Sequence, residues 1–168
     1  MYLSKISIKD FRMFSDVVEV SFSKGLNLLV GENGSGKSSV VDAIRALLGE
    51  NEFSRRGIIE EDFYSVFCES QKKSSESLFI SGVFSNLTEA QKVEYLSWLD
   101  EDFNAKLSFE VQRTLNRRNN YKQKRWGGNS SNSFFDIEPL NDIQCVYLPA
   151  LRDAERSLRT GRGSRLAR

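Results

Sequence analysis

Apolar and polar residues alternate along the first part of the chain and then change period. Residues 2–9 (YLSKISIK) and 17–22 (VVEVSF) are apolar at about every second position, which predicts two half-buried strands. Residues 26–30 (LNLLV) are almost continuously apolar, which predicts a buried central strand. Residues 37–48 have helical spacing that places on one face Val40, Val41, Ile44, Leu47 and Leu48. Gly49 is expected to end this helix.

The middle of the chain combines a polar stretch with further strand patterns. Residues 50–76 are charged and Ser-rich, and we expect a surface excursion there. Residues 77–84 and 106–115 alternate and predict strands. Between them, Thr88 and Gln91 have the spacing of a capping box at the start of a short amphipathic helix.

The last third is rich in turn formers and basic residues. Residues 116–133 combine Asn, Gly and Ser with Lys and Arg, which predicts a hairpin tip or flexible loop. Residues 143–149 (IQCVYLP) predict a strand closed by Pro149. From residue 150 onward Arg recurs at near-helical spacing, although Gly161 and Gly163 interrupt it.

The segment Gly31 to Ser38 (GENGSGKS) matches the phosphate-binding pattern G-x-x-x-x-G-K-[ST]. Its context also matches, because a predicted strand precedes it and a predicted helix follows. Glycines let backbone N–H groups approach phosphate oxygens, and the helix N-terminus favours an anion. The motif therefore predicts an ATP site formed by Gly31, Asn33, Gly34, Ser35, Gly36, Lys37, Ser38 and Ser39.

Two side chains of this motif carry the predicted chemistry. Lys37 places a positive charge against the β- and γ-phosphates, and the Ser38 hydroxyl can ligate a Mg²⁺ ion that bridges them. Hydrolysis also needs an acidic residue at the end of an apolar strand. No run of four apolar residues followed by Asp occurs in the chain, and the nearest candidate, Asp153, lies four residues beyond Pro149. The sequence thus predicts half of an ATPase site.

The composition of the chain limits the classes of protein and the kinds of catalytic site that it can form. The chain has 168 residues, of which 39% are hydrophobic and 28% charged, as in ordinary globular proteins. It contains no His, which excludes a His-based triad or metal site. Cys68 and Cys145 fit no metal-binding spacing, and we expect free thiols in the cytoplasm. No apolar run approaches the roughly 20 residues of a membrane span, and we expect no membrane association.

Charge is distributed unevenly along the chain. Residues 1–112 hold 12 Lys or Arg against 18 Asp or Glu, whereas residues 113–168 hold 12 against 5. A basic C-terminal third is compatible with DNA binding and equally with an exposed, solvated surface. The basic segment at 113–126 includes Arg117, Arg118, Lys122 and Lys124 interleaved with the aromatic residues Tyr121 and Trp126.

The N-terminal run resembles the opening of the ABC-type ATPases related to SMC, RecF and RecN. That group carries I-x-x-F-x-x-F, then G-x-N-G-x-G-K-[ST] and D-A-[IL], and this chain has Ile8, Phe11, Phe14, the loop residues above, Asp42, Ala43 and Ile44. A second stretch, QCVYLPALRD from Gln144, resembles the segment entering the helical arm of OLD-family ATP-dependent endonucleases.

The resemblance implies an α/β fold. It would be the N-terminal lobe of a P-loop ABC-type ATPase head (residues 1–150) with a mixed sheet and an antiparallel β subdomain, followed by the start of a helical arm (151–168). It also implies a C-terminal ATPase lobe, a homodimer or higher oligomer, and, for an OLD-like protein, a nuclease domain and a role in DNA metabolism or anti-phage defence. In relatives a basic residue at the position of Arg12 lies near the nucleotide, and Arg55 and Arg56 correspond to a DNA-sensing arginine of SMC-like heads.

Two other functions stay open at this point. The protein could be a repair ATPase of the SMC, RecF or RecN type without a nuclease. It could also be a nucleotide-binding module that gates a partner without hydrolysing ATP.

Overall fold

Five strands of the chain form one antiparallel sheet. The computed structural model describes residues 1–50, 56–68, 71–115, 120–132 and 135–148. In their order across the sheet, the strands are β2 (Val18–Ser21), β1 (Tyr2–Lys9), β5 (Ser77–Ser85), β6 (Ala105–Leu115) and β7 (Tyr121–Gly127). The predicted α/β class with an antiparallel β subdomain is confirmed. Every pairing within this sheet is antiparallel, so a parallel partner that would make it mixed is not found among the described strands.

One face of this sheet packs against helix α1 (Lys37–Leu48), which confirms the predicted helix. Strand alternation brings Ile6, Ile80 and Phe109 to this face, and each side chain is buried. Gly82 gives Leu47 of the helix its place on the sheet, because a Cβ at Gly82 would lie 2.6 Å from the Leu47 Cδ2 atom. The core therefore holds the helix that follows the glycine-rich loop.

Smaller elements surround the sheet. A two-stranded hairpin consists of β3 (Ser65–Cys68) and β4 (Gln71–Ser74). The capping box at Thr88 starts α2 (Glu89–Glu94), as predicted, and a 3-10 turn over Leu96–Trp98 follows it. Trp98 is fully buried, and its indole N–H donates to the carbonyl of Asp136, just before α3 (Glu138–Asp142).

Residues 26–30 do not form the predicted buried strand. They lie outside every strand, and Leu26, Leu28 and Val30 are exposed by 87%, 78% and 87%. A strand needs a hydrogen-bonded neighbour on at least one side, and no described part of this chain supplies one. The predicted strand is therefore wrong for the described chain. A run of apolar residues indicates that the segment favours burial, but it does not identify the strand against which the segment would pack.

The predicted strand at 143–149 is likewise absent over its described part. Residues 144–148 lie outside every strand of the described part of the chain, and Val146 and Leu148 are exposed by 68% and 78%. Residues 149–168 lie outside the described part of the chain, so the division at residue 150 and the helical arm stay predictions.

Two regions predicted as surface loops are more ordered than expected. The prediction over 116–133 was a hairpin tip or a flexible loop. Residues 121–127 instead form strand β7, because antiparallel pairing with β6 outweighs the local turn-forming residues; this pairing fits a hairpin and contradicts a flexible loop over these residues. In the predicted excursion over 50–76, Asp62 and Phe63 are buried, each exposed by only 1%. No helix in the described part of the chain is long and apolar enough to cross a bilayer.

Candidate nucleotide-binding site

The glycine-rich loop leads directly into the N-terminus of α1. Gly34 and Gly36 have φ angles of 84° and 89°, a region that other residues adopt only with strain. The first backbone hydrogen bond of the helix runs from the Val40 N–H to the Gly36 carbonyl, at 2.9 Å. The N–H groups of Lys37, Ser38 and Ser39 therefore have no acceptor within the helix. They form the anion-binding end of the helix dipole.

Lys37 is folded back onto the loop. Its Nζ donates to the carbonyls of Gly31 and Glu32, at 2.9 and 2.7 Å, and to the Ser35 hydroxyl at 3.3 Å. The ammonium group is thus held over the loop by neutral acceptors, which a phosphate oxygen can replace with a charge-assisted bond.

The remaining motif residues are arranged for the same ligand. Asn33 and Ser38 are exposed, while Ser39 is buried at 8% exposure. The Ser38 side chain projects from the first turn of α1, where it can ligate a Mg²⁺ ion bound to phosphates. N–H groups without an acceptor in the helix, the Lys37 ammonium and the exposed Ser38 hydroxyl fit ATP with Mg²⁺. The sequence-predicted loop residues therefore lie together in one continuous cradle.

The loop at residues 10–14 packs against this cradle. A Cβ at Gly36 would lie 2.7 Å from the Phe14 Cζ atom and 2.8 Å from the Met13 Sδ atom. Phe11, which is fully buried, forms isolated bridges to Phe14 and Phe63. The two phenylalanines of the F-x-x-F stretch therefore fix this loop between the glycine-rich loop and the core.

Arg12 is held at the edge of α1 by two carboxylates. Its Nη1 donates to Asp42 of the helix, and its Nε donates to Asp62 at 3.1 Å. The Arg12 backbone has a φ of 52°, and its N–H donates to the Asp62 carbonyl. Arg12 thus lies beside the cradle, and its contact with a nucleotide stays a prediction.

Asp42 also binds Arg45, which forms a second ion pair with Glu50 at the end of α1. Arg45 donates to Asp42 at 2.8 Å and to the buried Glu50 at 3.0 Å. Burial acts to lower the pKa of Arg45, but the hydrogen bonds to Glu50 and Asp42 outweigh it and raise the pKa. The Arg45 guanidinium also stacks 3.8 Å from the ring centroid of Tyr147. This cation anchors the extended segment 144–148 against the helix.

Asp62 is a residue whose role the sequence does not reveal. Its carboxylate accepts from Arg12, from Arg56 at 2.8 and 3.1 Å, and from the Ile59 N–H at 3.1 Å. An Asp in the run IIEEDF carries no sequence signal for burial. Its function depends on tertiary contacts that join two candidate residues, Arg12 and Arg56.

Three of the basic residues predicted to contact DNA lie in the described part of the chain, namely Arg56, Lys122 and Lys124. Arg56 is two-thirds covered and bonded to Asp62. Lys122 and Lys124 are exposed on β7. Arg125, which lies between Lys124 and Trp126 on this strand, points toward α1, and its guanidinium donates to the Ala46 carbonyl at 2.9 Å. Since neighbouring strand residues face opposite ways, the two lysines lie on the sheet face away from α1.

Other members of the basic segment have internal partners. Arg113 and the Tyr121 hydroxyl both donate to Glu60, at 3.2 and 2.8 Å. Burial lowers the pKa of the Arg125 guanidinium, and Trp126 is only 9% exposed. Trp126 is therefore not available for stacking on bases. The predicted positions Arg55, Arg117 and Arg118 lie outside the described residues.

Comparison with known proteins gives one family. The family model described as an AAA ATPase domain matches residues 1–144. The chromosome partition protein Smc of Chlorobaculum tepidum is 56% identical over 50 residues, which are 30% of this chain and 4% of that protein. The DNA double-strand break repair Rad50 ATPase of Thermococcus kodakarensis is 52% identical over 44 residues, 26% of this chain and 5% of that protein. The chain thus matches only a small part of the length of these relatives.

Solved structures share the fold. An SMC ATPase, studied for ATP-driven dimerization and DNA-stimulated activation, aligns with a TM-score of 0.53 and 23% identity over 84% of this chain and 76% of that one. The Smc head domain with a coiled coil and joint from Pyrococcus yayanosii aligns with a TM-score of 0.58 and 22% identity over 83% of this chain and 24% of that one. At these identities the likeness concerns the fold.

Proposed function

The chain belongs to the AAA ATPase domain family, and on this premise we propose that it is the ATP-binding N-terminal lobe of an ABC-type head of the SMC and Rad50 kind. The observation that carries the proposal is the cradle, in which Lys37 Nζ lies over the glycine-rich loop and the first N–H groups of α1 have no acceptor within the helix. Matches to Smc and Rad50 proteins support the subgroup.

The chain's own residues have defined tasks in this proposal. Lys37 exchanges the carbonyls of Gly31 and Glu32 for the β- and γ-phosphates, and the N–H groups at the start of α1 hold the phosphate oxygens. Ser38 would contribute one ligand to Mg²⁺. The ion, when bound, neutralises charge on the phosphates. Arg12 keeps Nε and Nη1 on its carboxylates and offers Nη2 to the nucleotide.

A second lobe is needed to complete the site. Residues 26–30 precede the cradle. Their exposed apolar side chains, and a backbone that pairs with no described strand, suit a strand in a sheet built by two segments. We assign that place to strands of a C-terminal ATPase lobe, which would also bring the acidic residue for Mg²⁺. The solved SMC ATPase is described as dimerizing with ATP and being activated by DNA, and we extend both properties to this protein as proposals.

The narrower OLD-like function rests on residues 144–153. That assignment adds a C-terminal nuclease and a role in defence against foreign DNA. It predicts Mg²⁺-dependent cleavage of DNA by the full-length protein. An SMC- or Rad50-type ATPase without nuclease instead hydrolyses ATP and leaves plasmid DNA intact under the same conditions.

Steady-state ATP hydrolysis tests the proposal. We expect the full-length protein to turn over ATP, with DNA raising the rate, and the 168-residue chain by itself to show no turnover above that of buffer. Turnover by the isolated chain that Lys37→Ala abolishes would contradict the division into two lobes. Binding of ATP without any hydrolysis by the full-length protein would favour a nucleotide-gated module.

A further inference from the structure

Asp62 lies at the centre of an ion-pair network that runs beside the nucleotide cradle. Carboxylates and guanidinium groups alternate along it in the order Glu50, Arg45, Asp42, Arg12, Asp62 and Arg56. The Asp62 side chain is only 1% exposed, whereas those of Arg12 and Arg56 are 27% and 34% exposed. One buried carboxylate thus fixes two cations that reach toward the surface.

Contacts to Asp62 account for both of its oxygens. Oδ1 accepts from Arg12 Nε and Arg56 Nη2, each at 3.1 Å, and Oδ2 accepts from Arg56 Nη2 at 2.8 Å and the Ile59 N–H at 3.1 Å. A buried carboxylate with this many donors has one orientation, because turning it leaves charged groups unpaired. Asp62 is therefore a fixed point for Arg12.

Backbone contacts attach Arg12 to the same fixed point. The Arg12 N–H donates to the Asp62 carbonyl at 2.9 Å, and the Tyr64 N–H donates to the Asp10 carbonyl at 2.9 Å. These bonds hold Arg12 in its left-handed conformation, with a φ of 52°. Met13 and Phe14 then pack on Gly36 of the cradle. The position of Arg12 relative to the cradle is consequently set by Asp62.

The orientation of the Arg12 guanidinium follows from its two carboxylates. Asp62 binds Nε and Asp42 binds Nη1, which leaves Nη2 without a hydrogen-bond partner among the described residues. A planar guanidinium held at two corners can present its third nitrogen in only one direction. We infer that Asp62 is a positioning residue that aims Arg12 Nη2 at the phosphates of a bound nucleotide. This inference rests on the proposed nucleotide site and adds a residue that does not touch the nucleotide.

A double-mutant cycle in the full-length protein tests this role. Affinity for a fluorescent ATP analogue is measured for the parent, Arg12→Ala, Asp62→Asn and the double variant. We expect Asp62→Asn to weaken binding by about three- to tenfold. In the Arg12→Ala background the same change should alter affinity by less than about twofold, because the group that Asp62 aims is gone. An equal loss in both backgrounds, or no loss in either, overturns the inference.

Glu50→Gln is the matched control. Glu50 is also a buried carboxylate of this network, but its partner Arg45 contacts Asp42 and Tyr147 and is linked to Arg12 through Asp42. We expect Glu50→Gln to lower thermal stability as Asp62→Asn does, with ATP affinity unchanged. An equal loss of affinity in both variants would show a general effect of stability and overturn the specific role of Asp62.

Two further measurements keep the outcome interpretable. If Asp62→Asn does not fold, the Arg12 Nε–H resonance of the parent decides: it should be protected from solvent exchange and shift when ATP is added, and an unprotected, unshifted resonance overturns the inference. Lys37→Ala separates the two hypotheses. Loss of binding in Lys37→Ala with normal binding in Asp62→Asn rejects only the role of Asp62, whereas normal binding in both rejects the nucleotide site.

Discussion

Gly36 is the residue at which the cradle and the core meet. It caps α1 in a left-handed conformation, and Phe14 and Met13 occupy the space a side chain would need. Gly34 has a similar φ angle but open space around it. The two glycines therefore separate the requirement for a backbone conformation from the requirement for close packing.

Replacing each glycine by Ala measures these two requirements. Both variants should lose about 1–3 kcal/mol of unfolding free energy from backbone strain. Gly36→Ala should lose about 1–3 kcal/mol more, because Phe14 and Met13 must move. Urea denaturation of the two variants checks this difference. Equal losses would show that the packing of the 10–14 loop on Gly36 contributes nothing.

Tyr121 gives a residue-scale prediction for pH. Burial, followed by the hydrogen bond to Glu60, raises the pKa of Tyr121. The folded protein holds the Tyr121 proton more tightly than the unfolded chain does. The contribution of this group to the free energy of unfolding is therefore fully present below the unfolded pKa of about 10, and it is lost as the pH rises above that value. Denaturation between neutral pH and pH about 11 should show a smaller alkaline loss for Tyr121→Phe than for the parent. An identical loss would mean that this proton is not linked to folding.

At the element scale, α1 depends on the sheet for its position, whereas residues 26–30 have no strand partner among the residues that the structure describes. Leu47 of α1 is fully buried and Leu28 is 78% exposed. The same substitution at these two positions thus distinguishes an element that is already packed from one that the proposed second lobe would cover.

Leu47→Ala should lower the unfolding free energy by about 2–5 kcal/mol, because it leaves a cavity under the helix. Leu28→Ala should change it by less than about 0.5 kcal/mol in the 168-residue chain. In the full-length protein, Leu28→Ala should become destabilising, since the proposed second lobe buries it. Chemical denaturation of both forms is the measurement, and a neutral Leu28→Ala in the full-length protein would contradict the proposed docking of that lobe.

The helices and strands differ in how well the sequence predicted them. Periodicity was sufficient for α1, β1, β5 and β6, because each buries its apolar positions against other parts of this chain. It failed for residues 26–30, where burial depends on a partner that the pattern does not identify. Strand β7 was missed because its pairing with β6 outweighs its polar composition. The motif predicted the cradle residues themselves, but the tie between Arg12 and Arg56 depends on Asp62, which lies 50 residues from Arg12 in sequence.

At the scale of the whole molecule, the cradle and the exposed lysines of β7 lie on opposite faces of the sheet. Arg125 and α1 occupy one face, and Lys122 and Lys124 the other. A DNA contact through these lysines would therefore leave the cradle accessible to nucleotide. It would also depend mainly on phosphates, because Trp126 is buried.

Substituting Lys122 and Lys124 with Gln tests this contact. If both lysines bind phosphates, the slope of log affinity against log salt should fall by up to about two units, with a similar effect on all DNA sequences. A control variant with Gln at the exposed positions Lys9 and Lys73 removes the same charge and should keep the slope of the parent. Binding titrations of the full-length protein at several salt concentrations would exclude this surface if the two variants behave alike.

Binding of ATP with Mg²⁺ to the cradle is the central claim, and isothermal titration of the full-length protein and its Lys37→Ala variant tests it most directly. Removing the ammonium group takes away a charge-assisted bond of about 1.5–3 kcal/mol, so the affinity for ATP should fall at least about tenfold. The variant should keep the melting temperature of the parent to within a few degrees, since Lys37 bonds only to loop acceptors among the described residues. Equal ATP affinity in the parent and the variant would contradict the account.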